Sequence, residues 1–139
     1  MNSYMDIALS ESKKAFIEGN VPVGAVIVKN NKVISFCHNT KNTSNIAINH
    51  AEILCIIEAS KKIKSWYLNE CELYVTLEPC DMCKAAIAEA RINKVYYLLD
   101  SNYKENLSKN VNNIEFIKLD NNKKEYNEIV SNFFNSLRN

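Results

Sequence analysis

Two short motifs about thirty residues apart restrict what this 139-residue chain can fold into: His50-Ala51-Glu52 and Pro79-Cys80-Asp81-Met82-Cys83. Each sits where a loop or strand passes into a predicted helix, so any joint use of them needs a fold that aims two helix N-termini at one point. The hydrophobic pattern supplies the elements. Apolar residues recur helically at Met5, Ala8, Leu9, Ala15 and Phe16, and Gly19-Asn20 supplies a stop. Residues 21–28 are apolar and β-branched, Asn30-Asn31 marks a turn, and residues 32–37 form a second apolar run, together a hairpin. Residues 40–49 are polar and read as loop, and helical periodicity returns over residues 49–63. Residues 71–77 alternate as a strand, residues 80–91 are Ala-rich and helical, residues 95–99 and 114–119 are strand candidates, and residues 122–137 close as an amphipathic helix. The order α-β-β-α-β-α-β-(β)-α implies a central mixed sheet with helices on both faces, an α/β fold held in one domain over residues 1–139.

Composition excludes several classes. An apolar fraction of 47% and a charged fraction of 24% belong to soluble globular chains. No apolar run approaches the roughly 18 residues of a membrane span, and the first ten residues lack the pattern of a signal peptide, so a cytoplasmic location is expected. Five cysteines and two histidines without a secretion signal suggest reduced thiols in metal or catalytic use. A net charge of +1 offers no bulk attraction for a polyanion, so any nucleic-acid contact must be local.

The motifs carry the chemistry. Cysteines at i and i+3 in a helix's first turn project to one side, so Cys80 and Cys83 can reach one ion at about 2.3 Å while His50 offers a nitrogen at about 2.0 Å. Three ligands leave a fourth position open to water, which marks a catalytic rather than a structural zinc site. The helix N-termini favour the thiolates. Glu52, two residues from His50, can reach the activated water without becoming a ligand, which suits a proton shuttle. H-x-E followed by P-C-x-x-C is the recognised signature of zinc deaminases of nucleobases. Blander readings stay open. Cys80 and Cys83 as a redox pair use neither His50 nor Glu52, and a closed structural zinc site requires Cys37, His38, Cys55 or Cys71 as fourth ligand. Those cysteines lie in apolar runs and read as small buried hydrophobes, and His38 reads as a polar neighbour.

Beyond the zinc motifs stand Val21-Pro22-Val23-Gly24-Ala25-Val26-Ile27-Val28, then Asn39 eleven residues before His50, and Thr76-Leu77-Glu78-Pro79-Cys80 leading into Met82. With these, residues 4–97 resemble the tRNA adenosine deaminases of the cytidine deaminase superfamily, and the resemblance returns weakly near the end. It implies a three-layer α-β-α sandwich around a mixed five-stranded sheet, one Zn2+ per subunit and a homodimer. It also implies that Asn39 hydrogen-bonds a flipped base, Val21 lines its pocket, and the backbone at Leu77 and Glu78 faces the exocyclic amine. Phe133-Phe134 resembles an aromatic pair of which one ring borders the nucleotide pocket, with an ordinary core role as the competing reading. The implied substrate is the wobble adenosine of a tRNA anticodon loop, converted to inosine by attack at C6 with loss of ammonia. A loop offers an unpaired base at little cost. Lys123, Lys124 and Arg138 could touch phosphates, though a solvated helix face explains them equally well. The chain departs from the family at Ala47-Ile48-Asn49 and over Leu98-Leu99-Asp100-Ser101-Asn102-Tyr103-Lys104. Two other functions remain: a deaminase of a free base or nucleotide such as guanine, cytosine or deoxycytidylate, and a non-catalytic zinc-binding accessory subunit.

Overall fold

The structure is a computed structural model and describes residues 3–101 and 113–137. Arg138 and the stretch 102–112, which includes Asn102, Tyr103 and Lys104, lie outside the described residues. The elements run α1 (Ser3–Ile17), β1 (Gly24–Lys29), β2 (Lys32–His38), α2 (Lys41–Ser44), α3 (Ala51–Ile63), β3 (Cys71–Val75), α4 (Asp81–Glu89), β4 (Lys94–Tyr97), β5 (Glu115–Lys118) and α5 (Lys123–Leu137). The strands form one sheet in the order β2-β1-β3-β4-β5. It is antiparallel where β1 meets β2 and β3, and parallel where β4 meets β3 and β5.

Alternation along β1 explains the layering. Ala25 and Ile27 are buried with Ala51, Cys55 and Ala59 of α3 and Ile87 of α4. Val26 and Val28 point to the opposite face, where Met5, Ala8 and Leu9 of α1 and Tyr126 of α5 cover them. The result is the expected three-layer α-β-α sandwich with a mixed five-stranded sheet. Asn30 and Asn31 both take left-handed backbone, φ 51° and 63°, which gives the β1–β2 turn the twist a tight hairpin needs. Gly24 lets α1 lie directly on β1: a Cβ there would stand 1.9 Å from the Ala8 carbonyl oxygen and 2.6 Å from the Ser12 nitrogen.

Of the boundaries that differ from the sequence reading, three have a clear physical cause or consequence. The apolar run 21–28 becomes strand only from Gly24, because Pro22 has no N–H for a ladder and its carbonyl instead accepts the Tyr126 hydroxyl at 2.6 Å. The segment read as loop over 40–49 contains the single turn α2, whose Asn42 and Thr43 N–H groups donate to Asn20 Oδ1 at 2.9 and 3.1 Å. The strand expected over 95–99 is ordered as β4 only to Tyr97, with Leu99 making an isolated parallel bridge to Leu77.

Candidate active site

His50 and Cys80 occupy equivalent places at the entries to α3 and α4. Each is the residue before its helix, in extended backbone (φ −73°, ψ 153° and φ −72°, ψ 173°), and neither side chain caps its own helix. Both therefore turn across the gap between the two helix starts, where Cys83, buried in the first turn of α4, joins them. Nδ1 of His50 lies 3.7 Å from Cys80 Sγ and 3.5 Å from Cys83 Sγ, and all three donor atoms fall within 4.8 Å of one another. Nitrogen and sulfur ligands of one tetrahedral zinc ion lie roughly 3.5 Å apart. The separations and the soft donor set thus fit a metal ion, held by three protein groups.

Among the described residues no fourth Cys, His, Asp or Glu joins the cluster. Two of the spare candidates are engaged elsewhere: Cys55 Sγ meets Ser35 Oγ at 3.1 Å, and the two ring nitrogens of His38 face Glu11 and Glu18 at 3.0 Å each. All five cysteines are free thiols. Hydrogen bonding from Cys83 and from His50 holds the Cys80 thiol well below its usual range, at about 4. The same hydrogen bond to Cys80, with burial, drives Cys83 the other way. A bound dication would take both sulfurs as thiolates.

Glu52 stands at the second position of α3 and is only 4% exposed. Burial raises its carboxyl to about 7, against a lowering hydrogen bond from the Cys83 thiol and the nearby His50. A carboxyl that holds and releases a proton near neutrality is suited to general acid–base work. Asp81, between the two cysteines, has no role in the sequence reading: it is 4% exposed, and neither carboxylate oxygen has a hydrogen-bond partner among the described residues. Its charge lies at the positive end of α4.

His50, Glu52 and Cys80 open onto a cavity of about 310 Å³, the lower end of the range for small-molecule sites. Val21, Asn39, Leu77 and Glu78 line it, as do Val23, Lys41 and Ser101, which the sequence reading did not single out. Asn39 is 7% exposed; its Nδ2 donates to the Val21 carbonyl at 3.1 Å and its Oδ1 accepts from the Lys41 N–H at 2.9 Å. One amide N–H and one lone pair remain for a ligand. Glu78 accepts from the Ser101 N–H at 3.0 Å and pairs with Lys84 at 3.6 Å, which holds Ser101 in the wall. Phe133 and Phe134 are not brought to this cavity. Phe133 is buried edge-on against Phe16 and Phe134, with centroids at 6.2 and 5.4 Å, so it serves as a core aromatic. Lys123 and Lys124 open α5.

Known proteins resemble this chain in sequence and in fold. The model of the MafB19-like deaminases matches residues 1–138. The tRNA-specific adenosine deaminase of Aquifex aeolicus is 48% identical over 94 residues, 68% of this chain and 62% of that protein. A solved structure from studies of A-to-I editing by tRNA:A34 deaminases superposes with a TM-score of 0.70 at 40% identity, covering 71% of this chain and 76% of its own. The guanine deaminase of Bacillus subtilis superposes with a TM-score of 0.68 at 36% identity, covering 72% and 66%. The chain spans 58–66% of the length of the first curated relatives it matches. With the family model matched along nearly its whole length, and with solved deaminases sharing its fold and more than a third of the aligned residues, the chain belongs to the MafB19-like deaminase family.

Proposed function

We propose that this protein is a zinc-dependent hydrolase that deaminates the wobble adenosine of a tRNA anticodon loop to inosine. The observation that carries the reading is the cluster of His50, Cys80 and Cys83, of which His50 and Cys80 line, with buried Glu52, a cavity large enough for one nucleobase. His50 Nδ1, Cys80 Sγ and Cys83 Sγ would hold the metal, which when bound supplies a water acidified from 15.7 towards about 7. Glu52 takes a proton from the attacking water and delivers it to N1 of the adenine. It then passes the second proton to the exocyclic nitrogen, so that water adds oxygen at C6 and ammonia leaves. Asn39 reads the base with its remaining N–H and lone pair, while Val21 and Leu77 pack the ring and exclude bulk water.

Similarity to proteins named as tRNA-specific adenosine deaminases, at 44–48% identity over 92–95 residues, supports this substrate over a free base. The likeness to a guanine deaminase, at 36% identity, favours the second reading, in which the same chemistry acts on a free purine. Ile46, Ile48, Ile57 and Met82, large apolar side chains exposed on α3, on α4 and on the loop before α3, support a second copy of the chain as partner. Among the described residues no helix is long and apolar enough to cross a membrane, and a tRNA substrate is met in the cytoplasm. The test is inosine formation by zinc-loaded protein on an anticodon stem-loop with a wobble adenosine, with free guanine, cytosine, cytidine and deoxycytidylate alongside. Turnover of the stem-loop alone establishes the reading, and turnover of a free base alone replaces it with the second.

A further inference from the structure

The electrostatics of the cavity leave one problem unsolved by its catalytic groups. A polynucleotide brings phosphates to a cavity whose lining includes two acidic residues, Glu52 and Glu78, on a chain whose net charge is only +1. Affinity for such a ligand needs a cation placed at the mouth itself. The neighbouring cations are committed: Lys84 pairs with Glu78 and lies 5.3 Å from the Phe116 ring centroid, and Lys118 donates to Asp100 at 2.7 Å. Lys41 differs from both. It is exposed, it lines the cavity, and it makes no ion pair with a carboxylate among the described residues.

Its base is also built. The Lys41 N–H is fixed by Asn39 Oδ1 at 2.9 Å, the same amide that holds the Val21 carbonyl. The surrounding turn is stapled by Asn20 Oδ1, by Thr40 N–H to the Asn49 carbonyl at 3.1 Å, and by Asn49 Nδ2 to Ser44 Oγ at 3.0 Å. Only the flexible side chain is free, rooted one residue beyond the pair Asn39-Thr40. We infer that Lys41 binds a backbone phosphate of the nucleotide seated in the cavity or of its immediate neighbour, and so discriminates a polynucleotide from a free base. The inference rests on the reading of the substrate as an anticodon loop.

The probe is the wobble-adenosine stem-loop RNA, titrated against zinc-loaded protein over a range of salt. Lys41→Gln removes one phosphate contact, so the slope of log affinity against log salt falls in magnitude by about 0.7, and affinity at 0.15 M salt falls about fourfold. Lys41→Arg restores both, the thermal midpoint and zinc content of all variants stay at parental values, and Lys61→Gln, an exposed charge loss at the end of α3, leaves the slope unchanged. An unchanged slope in Lys41→Gln, with the stem-loop still deaminated, overturns the role of Lys41 and leaves the substrate reading standing. A parent protein that neither binds nor deaminates the stem-loop and turns over only a free base overturns the substrate reading, and the phosphate contact with it.

Discussion

Replacing Gly24 by alanine tests how α1 is seated on the sheet. The added Cβ would stand 1.9 Å from the Ala8 carbonyl oxygen, 2.6 Å from the Ser12 nitrogen and 2.8 Å from Glu11 Cβ. Two of these are backbone atoms of one helix, so no rotamer change relieves the contact. Even a minimal separation of 3.0 Å from the Ala8 oxygen requires a shift of 1.1 Å (3.0 − 1.9). That shift lifts Met5, Ala8 and Leu9 off Val26 and Val28, five side chains none of which exceeds 4% exposure. Overpacking of this kind costs about 3 kcal/mol. With an unfolding entropy of about 0.29 kcal/mol/K for a chain of this length, the thermal midpoint should fall by about 10 °C. The other glycine provides the contrast. Gly19 has φ 90°, and a Cβ added there would meet nothing within 4 Å, so Gly19→Ala carries only left-handed strain of about 1–2 kcal/mol, or about 3–7 °C. Differential scanning calorimetry on the two variants decides the matter. A Gly24→Ala midpoint within 3 °C of the parent, or one above that of Gly19→Ala, would refute the claim that close helix–strand approach fixes this position.

Glu52→Gln should lower kcat by about 10²–10⁴-fold while metal content, measured by atomic absorption, stays at one per chain; retained turnover would remove Glu52 from the proton path. The pH dependence of stability should carry a His38 signature. Burial lowers the imidazolium, but hydrogen bonds to Glu11 and Glu18 outweigh it, so the folded pKa lies above the ordinary 6.5. The bridge therefore stabilises fully below the unfolded pKa and is lost as pH rises through the raised folded value. The gap in thermal midpoint between the parent and His38→Asn should shrink between pH 5.5 and 8.5, and parallel profiles would contradict it. Tyr126→Phe deprives the buried Pro22 carbonyl of its 2.6 Å partner and should cost about 1–3 kcal/mol, read as a 3–10 °C lower midpoint in the same calorimeter; a midpoint unchanged within 1 °C would mean that the carbonyl finds another donor.

The elements legible in the sequence are those whose cause is local. Asn30-Asn31 announces the hairpin because two left-handed residues suffice to make it, and His50 and Cys80 mark helix starts because each stands immediately before an uninterrupted helical run. The donor cluster was readable for the same reason: i and i+3 place Cys80 and Cys83 on one side of a first turn whatever the rest of the chain does. What escaped is set by distant partners. The apolar run 21–28 hides a switch from cavity wall to strand at Gly24, enforced by Tyr126 more than a hundred residues away. The single turn α2 is capped by Asn20, outside any window that a periodicity scan would use. Phe133 shows the limit most clearly, since an apolar helix face looks the same whether it meets Phe16 or a bound base.

That division bears on the function itself. The groups proposed to break the C–N bond come as two pairs of short sequence spacing, His50 with Glu52 and Cys80 with Cys83, each fixed by the start of one helix. The groups proposed to read the substrate are Asn39 and Lys41, and they are tied to a distant part of the chain: the Asn39 amide donates to the Val21 carbonyl and accepts from the Lys41 N–H, while Glu78 holds Ser101 in the wall beside them. Ser101 is fixed by one carboxylate that also bears on Lys84. Substitution at Glu78 should therefore act on KM for the RNA ahead of kcat, because it loosens a wall of the cavity and leaves His50, Glu52 and the two thiols in place.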